Sequence, residues 1–246
     1  MKIALIGYGK MGKQIEEIAI AAGHKILCII DEKNSSEIKG DQFKSADVAI
    51  EFSTPDFAVS NIIACLDAKV PVVCGTTGWY NHLQEIEKLC QEKNGSVLYS
   101  SNFSLGVNLF FEMNRRVAEM MIKYPIYQIH LEETHHIHKK DAPSGTALSL
   151  SKDILHSFIN KKNVKTLLDN QEDNGINQDE LIIRSWRKDE VPGTHDIVYS
   201  SPEDEILLRH TANNRAGFAK GAIMAAEWLY TRSGFFTMQD VLKDEL

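Results

Sequence analysis

The sequence has no long apolar run and no excess of basic residues, and these absences exclude several classes of protein. Its 246 residues include 27 Lys and Arg against 34 Asp and Glu, for a formal net charge of −7 at pH 7. A nucleic-acid partner is not expected, because neutralising phosphates requires a basic face. No segment approaches the roughly 18 apolar residues of a membrane span, and the N-terminus lacks a signal-peptide core. We therefore expect a cytoplasmic protein with no membrane partner.

Cysteine is scarce, and its spacing contains no CxxC pair. The four cysteines are Cys28, Cys65, Cys74 and Cys90. Each lies in an apolar or helical run, where a thiol behaves as a small buried hydrophobe, so we expect all four to be reduced. The remaining composition is that of an ordinary globular protein, with 43% apolar residues, and it is sufficient for a substantial core.

A glycine-rich turn follows the first apolar strand. Residues 2–6 lead into Gly7, Tyr8, Gly9, Lys10, Met11 and Gly12, a helical pattern follows, and Asp31 stands at the end of a second apolar strand. Gly7 permits the tight turn, Gly9 lets the backbone approach a pyrophosphate, and Gly12 lets helix and strand pack closely. Because these features come in the required order, the sequence predicts a Rossmann domain that binds a nicotinamide dinucleotide.

Asp31 also bears on which dinucleotide is used. Its carboxylate is suited to accept hydrogen bonds from the adenosine ribose and would repel the 2′-phosphate of NADPH. The next residue, Glu32, is acidic as well. NADH is therefore favoured, while Lys33 leaves NADPH as an alternative.

Polar or glycine-containing turns follow the next three strands of the alternating pattern. They contain Ser53-Thr54, then Gly75, Thr76, Thr77 and Gly78, then Ser100, Ser101, Asn102 and Phe103. In an open parallel sheet, ligands bind beyond the carboxyl ends of the strands. We expect Gly75 to Thr77 and Ser100 to Phe103 to line the nicotinamide half of the cofactor site. The alternative is that these segments are ordinary turns, which would have the same sequence pattern.

After residue 104 the strand–helix alternation gives way. The pattern predicts a helix over 105–122, strands over 127–132, 181–186, 196–200 and 205–210, and a polar surface excursion over 160–180. These strands would form a mixed, mostly open four-stranded sheet whose outer face suits a homo-oligomer. We expect an α/β fold with a dinucleotide-binding domain at 1–104, a smaller α+β substrate-binding and oligomerisation domain at 105–216, and C-terminal helices at 217–246 that return to the first domain.

Residues 133–147 concentrate polar chemistry between a strand and a helix. They read Glu-Thr-His-His-Ile-His-Lys-Lys-Asp-Ala-Pro-Ser-Gly-Thr-Ala. Ser144 or Thr146 is a candidate N-cap, and the free N–H groups beside it, at Gly145, form an anion site. Proton donors beside a carboxylate cradle suit the reduction of a small acidic substrate.

Two other readings of this stretch stay open. Three histidines in four positions could bind zinc, yet no cysteine lies within 40 residues and the HExxH pattern is absent, so we predict no metal. A solvated basic loop is the second reading. Further along, Arg215 before the last long helix suits bidentate contact with a substrate carboxylate, with a surface salt bridge as its alternative.

With these motifs in hand, the chain resembles the dihydrodipicolinate reductase family nearly end to end. The resemblance rests on residues 7–12, 75–78 and 102–108, and above all on His135-His136-x-x-Lys139-x-Asp141-Ala-Pro-Ser-Gly-Thr-Ala. It implies NAD(P)H-dependent reduction of 4-hydroxy-tetrahydrodipicolinate in the diaminopimelate route to lysine, in a homotetramer built through the C-terminal sheets, with a hinge between domains.

The resemblance also implies residue roles. His135 falls on the family's proton donor/acceptor and Lys139 on its second proton donor, while His136, Gly145 and Thr146 fall on substrate contacts. Two features depart from many members, since the glycine loop is one residue shorter and Glu32 replaces a basic residue. The alternative functions are a non-catalytic NADH-sensing regulator and a related reductase of an amino-acid semialdehyde.

Overall fold

The computed structural model describes residues 1–169, 171, 175, 177–214 and 216–245, without the side chain of residue 245. The chain forms two compact units, Met1–Asn108 with Ala216–Leu246, and Leu109–Arg215. The strands are β1 (Lys2–Ile6), β2 (Lys25–Ile30), β3 (Val48–Glu51), β4 (Val72–Cys74), β5 (Ser96–Tyr99), β6 (Gln128–His135), β7 (Asn163–Leu168), β8 (Glu180–Arg187), β9 (Thr194–Ser200), β10 (Glu205–Thr211) and β11 (Gly234–Thr237). The helices are α1 (Lys10–Ala21), α2 (Asp41–Lys44), α3 (Pro55–Ala68), α4 (Leu83–Glu92), α5 (Leu105–Met121), α6 (Gly145–Ser157), α7 (Ala216–Leu229) and α8 (Met238–Glu245).

The first unit contains a six-stranded parallel sheet with the order β11-β5-β4-β3-β1-β2. Both of its faces are buried. Ile3 and Leu5 point into a core shared with α1, α7 and α8, whereas Ala4 and Ile6 point into a core shared with α3 and α4. Buried parallel strands form continuous apolar runs, which is why the sequence pattern predicts β1 to β5. Edge strand β11 was not predicted, because it lies in the stretch interpreted as C-terminal helices. The predicted α/β class with a Rossmann-type sheet is confirmed.

Strand order determines where a ligand can enter this sheet. β1 lies between β2 and β3, so successive connections leave it in opposite directions. The turn after β1 therefore stands at the topological switch point, where parallel α/β sheets bind ligands. That turn is the glycine-rich segment.

The second unit contains a five-stranded mixed sheet with the order β10-β9-β6-β8-β7. The prediction of four strands was wrong, because β7 lies inside the stretch interpreted as a surface excursion. β7 is an edge strand in which only Leu167 is buried, so its sequence carries little apolar signal. The excursion also includes residues 170, 172–174 and 176, which lie outside the described residues.

β6 is longer than predicted. It continues to His135, and its buried positions alternate through Ile129, Leu131, Glu133 and His135. The two polar residues thus occupy core-facing positions of the sheet rather than the loop. The predicted strand stopped at 132 because charged residues do not read as the buried half of a period-two pattern.

One face of this sheet packs on α6 and on part of α5, around Leu131, Leu150, Ile183 and Ile197. All four cysteines in the chain are free thiols, as expected. No helix in the described part of the chain is both long and apolar enough to cross a membrane.

Candidate functional site

The glycine turn after β1 leaves open space at one position. Gly7 has φ +91°, and a Cβ there would lie 2.2 Å from the carbonyl oxygen of Phe52. A Cβ on Gly12 would lie 2.3 Å from the carbonyl oxygen of Gly7. A Cβ on Gly9, the N-cap residue of α1, would meet no atom within 4 Å. The fold therefore requires two of the glycines, while the third leaves free room beside a helix N-terminus, as a pyrophosphate needs.

The side chains between the glycines turn outward or into the core. The Tyr8 hydroxyl donates to Glu16, and the Lys13 ammonium lies 5.7 Å from the centre of the Tyr8 ring. Lys10 is exposed, and Met11, in the first turn of α1, packs against the core.

Asp31 is exposed directly after β2, where the acid of a dinucleotide site stands. Its carboxylate accepts from the backbone N–H of Lys33 at 2.8 Å, and its own N–H donates to the Asn34 side chain at 2.7 Å. The Asn34 amide donates to the carbonyl of Ile29 at 2.9 Å. Asn34 therefore fixes the turn that presents Asp31, a role that the sequence pattern did not indicate.

The loops after β3 and β4 are tied together by hydrogen bonds. The Ser53 N–H donates to Thr76 Oγ1 at 2.9 Å, and the Trp79 indole donates to the Thr76 carbonyl at 2.9 Å. The Ser53 hydroxyl donates to Glu51, a fully buried carboxylate that also accepts from Asn61 at 3.3 Å. Gly75 and buried Thr76 are thus held in place, and the side chain of Thr77 is exposed.

The loop after β5 is ordered by its own polar side chains. Ser100 Oγ donates to the Asn102 carbonyl at 2.7 Å, and Asn102 Oδ1 accepts from the Ser104 N–H at 2.9 Å. Phe103 is buried and Ser101 is exposed. All the cofactor-binding candidates therefore lie in the first unit, at the carboxyl ends of β1, β2, β4 and β5.

In the second unit, a row of polar residues crosses the buried face of the sheet. Strand register pairs Glu133 with Ser185 on β8 and with His195 on β9, and pairs His195 with His210 on β10. Glu133 is 1% exposed, and Ser185 and His195 are buried as well. The neighbouring positions on the same face carry apolar side chains, so this polar row interrupts the apolar core of the sheet.

The carboxylate of Glu133 is the centre of this row. It accepts from Ser185 Oγ at 2.8 Å and from the Ser144 N–H at 3.1 Å. One of its oxygens lies 3.6 Å from His135 Nε2 and 3.7 Å from His195 Nε2. The sequence pattern missed Glu133, Ser185 and His195, because their proximity follows from strand register alone.

Burial and hydrogen bonding together determine whether Glu133 and His195 are charged. Burial raises the pKa of Glu133, but hydrogen bonds from His135, His195, Ser144 and Ser185 together outweigh it and hold that pKa well below its usual range. Burial lowers the pKa of His195, against a smaller opposing effect from Glu133. The site therefore holds an ionised carboxylate beside a neutral His195.

α6 begins directly beside this carboxylate. Of the two predicted N-cap candidates, the structure selects Ser144, whose Oγ accepts from the Ala147 N–H at 3.1 Å. A Cβ on Gly145 would meet no atom within 4 Å, and Thr146 is half-buried. The first turn of α6 thus keeps open space beside its N–H groups, as an incoming carboxylate requires.

The loop between β6 and α6 is clamped by Arg187. Its guanidinium donates to the Lys139 carbonyl at 3.3 Å and to the Asp141 carbonyl at 2.7 Å, and lies 3.8 Å from Glu133. The Lys139 ammonium lies 2.7 Å from both Asp141 oxygens, and this contact lowers the pKa of Asp141. His136 is half-buried, and among the described residues its Nδ1 has no hydrogen-bond partner.

Gly193 lies directly before β9 and makes room for His135. A Cβ at this position would lie 2.8 Å from Cε1 and 3.2 Å from Nδ1 of His135. Any other residue would press on that imidazole. Arg187 and Gly193 are distant in sequence from the loop that they support, so no local pattern indicated them.

Glu133, His135 and His195 also lie close enough to share a metal ion, with donor atoms within 4.8 Å of one another. Their hydrogen bonds favour another interpretation. Glu133 already accepts from Ser144 and Ser185, and the second ring nitrogen of His195 has no partner among the described residues. Metal-bound histidines usually donate that N–H to a fixed acceptor. We interpret the cluster as a hydrogen-bond network, and the absence of a metal stays a prediction.

The structure thus brings His135 and Ser144 together around one carboxylate of the second unit, that of Glu133. Arg187 connects the loop that contains Lys139 to the same carboxylate. Arg215, the remaining candidate, lies outside the described residues. A glycine turn on a parallel sheet, together with a loop of candidate proton donors on a second, mixed sheet, is typical of nicotinamide-dependent oxidoreductases.

The chain belongs to the dihydrodipicolinate reductase family. Residues 1–103 match the family's N-terminal domain, "Dihydrodipicolinate reductase, N-terminus", and residues 106–242 match its C-terminal domain. A 4-hydroxy-tetrahydrodipicolinate reductase from Christiangramia forsetii is 44% identical over 244 residues, covering 99% of this chain and 98% of the relative. The enzyme of the same name from Rickettsia rickettsii is 35% identical over 96% of this chain and 95% of its own. The resemblance stated from sequence is confirmed.

A solved structure shows the same fold. A dipicolinate-bound dihydrodipicolinate reductase from Paenisporosarcina sp. TG-14 superimposes with a TM-score of 0.76, covering 98% of this chain and 99% of that one. The two sequences are 20% identical. This likeness supports the fold assignment, while family membership rests on the sequence matches.

Proposed function

We propose that the chain reduces 4-hydroxy-tetrahydrodipicolinate to tetrahydrodipicolinate in the diaminopimelate route to lysine, with NAD(P)H as the reductant. Family membership supports the reaction. The observation that carries the assignment to residues is that one buried carboxylate, Glu133, lies 3.6 Å from His135 Nε2 and accepts from the Ser144 N–H at the start of α6.

The first unit supplies the residues that would hold the cofactor. The open backbone at Gly9 suits the pyrophosphate, Asp31 suits the adenosine ribose, and the loops at 75–77 and 100–103 suit the nicotinamide. When bound, the reduced nicotinamide supplies a hydride for ring carbon C4 of the dehydrated substrate.

The second unit supplies the groups that would hold the substrate. One ring carboxylate sits on the free N–H groups of Gly145 and Thr146, where the missing Cβ of Gly145 leaves room. His136, Ser144 and Arg215 remain candidates for further contacts with the substrate. Fixing the ring in this way contributes to catalysis by positioning.

Protonation completes the reduction. His135 is the proposed proton donor, since histidine exchanges protons near neutral pH. Lys139 is the second candidate donor, and its positive charge also offsets negative charge developing in the ring. The order in which the two residues act is left open.

The experiment is NADH oxidation with freshly prepared 4-hydroxy-tetrahydrodipicolinate, comparing the native chain with Lys139→Ala. Lys140→Ala is the matched control, because it removes the same charge from the exposed neighbouring position. We expect turnover in the native chain and the control, and a loss of about 10²-fold or more in Lys139→Ala. Tight NADH binding without turnover in any variant would favour a nucleotide sensor instead.

Cofactor preference follows from the acids after β2. Asp31 and Glu32 are both exposed and would repel a 2′-phosphate. We expect a higher kcat/KM with NADH than with NADPH, and a shift toward NADPH in Glu32→Arg. A clear NADPH preference in the native chain would contradict this reading of the two acids.

Assembly and location are proposed on separate grounds. Leu207 lies on the outer face of edge strand β10, and its side chain is 45% exposed and suits burial against another copy of the chain. We therefore expect a homotetramer formed through these sheets. Sedimentation equilibrium tests this, and a monomer would contradict it. Four free thiols suit the reducing cytoplasm.

A further inference from the structure

The loop between β6 and α6, which carries Lys139, has few backbone hydrogen bonds. The Ile137 N–H donates to the Asp189 carbonyl at 3.2 Å, and the Lys139 N–H donates to the His136 carbonyl at 3.1 Å. Among the described residues, only the first of these two bonds joins the backbone of residues 136–143 to the backbone of another segment. Side chains must therefore fix the rest of the loop.

Arg187 is placed to do this. It is the last residue of β8, and strand register pairs it with His135, the last residue of β6. Its side chain is 16% exposed. The guanidinium therefore reaches the loop from the sheet, a rigid element, and not from a mobile surface position.

Three N–H groups of this guanidinium donate to three backbone carbonyls. Nη1 donates to Trp186 at 2.9 Å, which holds the side chain against its own strand. Nε donates to Lys139 at 3.3 Å, and Nη2 donates to Asp141 at 2.7 Å. Donors on three different nitrogens are a property of the planar arginine fork, whereas lysine carries all its donors on one atom.

The bond to Asp141 also affects the side chain of Lys139. The Lys139 ammonium lies 2.7 Å from both carboxylate oxygens of Asp141. Because Arg187 binds the backbone of both residues, it fixes the point where the lysine side chain starts and the residue that holds its end. The position of the ammonium therefore depends on the guanidinium.

The same arginine lies beside the residue that fixes the start of α6. Arg187 Nη1 is 3.8 Å from Glu133 Oε1, within ion-pair distance, and an arginine keeps its charge at any working pH. Glu133 accepts from the Ser144 N–H at 3.1 Å. Two side chains on neighbouring strands thus hold the Lys139 loop and the N-terminus of α6 next to each other.

We infer that Arg187 is a positioning residue for the reduction, whose guanidinium fixes the backbone of Lys139 and Asp141 and thereby places the Lys139 ammonium relative to the carboxylate cradle of α6. The inference rests on the proposed function for its catalytic meaning, since Lys139 is a proton donor only in that proposal. The clamp on the loop rests on the hydrogen bonds alone.

The kinetic test uses Arg187→Lys, which keeps a positive charge beside Glu133 but lacks the planar fork. We expect kcat to fall about 10- to 100-fold, because a small displacement of a catalytic group is costly. The Kd for NADH should not change, since the proposed cofactor residues lie in the first unit. Arg187→Met, which also removes the charge, should be at least as slow. Lys188→Met is the matched control, because it removes a charge from the exposed next position, and it should keep the native kcat.

The same substitution in the Lys139→Ala background separates positioning from a general loss of structure. If Arg187 acts through the Lys139 ammonium, Arg187→Lys should lower the remaining kcat by less than about twofold. An equal loss with and without the ammonium would overturn the inference. A native kcat in Arg187→Lys would overturn it as well, because charge alone would then suffice.

Hydrogen exchange tests the clamp without reference to activity. In Arg187→Lys and Arg187→Met, the Ile137 and Lys139 amides should exchange faster than in the native chain, whereas Lys188→Met should leave them unchanged. Unchanged exchange in the two Arg187 variants would overturn the inference even if they were slow enzymes. Faster exchange, in a protein whose native form does not turn over the substrate, would support the clamp and contradict only the proposed function.

Discussion

The two sheets of this protein place their polar chemistry in different ways. The parallel sheet is mainly apolar on both faces, and its candidate ligand-binding groups lie in the loops beyond the strand ends. The mixed sheet carries polar residues on its buried face, in a row formed by Ser185, Glu133, His195 and His210. The first arrangement leaves the binding loops separable from the core. The second makes His135, the proposed proton donor, part of the core.

This difference has a consequence for mutation. Residues of the glycine turn divide into those that the fold needs and those that face open space, whereas in the polar row packing and chemistry use the same atoms. Variants of the two regions can therefore test whether the division holds.

The largest effect is expected from His135→Gln, which removes the proposed proton donor from the polar row. We expect kcat to fall by about 10²–10⁴-fold, the usual contribution of a general acid, with NADH affinity little changed. Steady-state kinetics and NADH binding by fluorescence measure the two quantities. His138→Gln is the matched control, since that ring is largely exposed in the same loop. A near-native kcat in His135→Gln would remove this residue from the mechanism.

A pair of glycine variants tests the division within the first unit. Gly12→Ala forces a Cβ to within 2.3 Å of the Gly7 carbonyl oxygen, so we expect a loss of about 1–3 kcal/mol or more in the free energy of unfolding. Gly9→Ala meets no protein atom, so stability should be unchanged while the Kd for NADH rises about tenfold, or about 1.4 kcal/mol. If both variants were destabilised equally and NADH binding were not selectively weakened, the proposed division of the glycines into structural and binding positions would be wrong.

The smallest effect is a pH dependence of stability from His195. Because burial lowers its pKa in the folded state, the unfolded chain binds the extra proton first. Stability should be constant above the unfolded value of about 6.5 and fall below it, by at most about 1.4 kcal/mol per pH unit for one proton. Urea unfolding between about pH 7 and 5 measures the slope.

His195→Gln should flatten that slope, and His130→Gln, on the outer face of β6, should leave it unchanged. The Glu133 carboxylate, whose pKa is lowered by its hydrogen bonds, contributes a further loss of stability only below about pH 4.3, the unfolded value. An unchanged slope in His195→Gln would show that this histidine does not titrate on unfolding.

The two sheets also differ in how much of each could be predicted from the sequence alone. Gly7, Gly9, Gly12 and Asp31 form a motif defined by local spacing, and apolar runs identify strands β1 to β5 of the parallel sheet, so both were predicted. Strand β11 was not predicted, because it lies in the stretch interpreted as C-terminal helices. The Ser144 cap was among the predicted candidates for the same reason, because it depends on residues three apart.

The partners of His135 could not be predicted in this way. Ser185 and His195 reach Glu133 only through strand register, across 52 and 62 residues of chain. Arg187 supports the Lys139 loop from 48 residues away, and Gly193 acts by leaving space. Edge strand β7 could not be predicted, because a strand that buries only one side chain has almost no periodic pattern of apolar residues.

The most direct test of the account is a double-mutant cycle on kcat with Glu133→Gln and His135→Gln. If Glu133 acts through His135, the double variant should be no slower than His135→Gln alone, because the carboxylate has nothing left to position. Effects that multiply independently would contradict the account, since they would assign Glu133 a contribution separate from the histidine beside it.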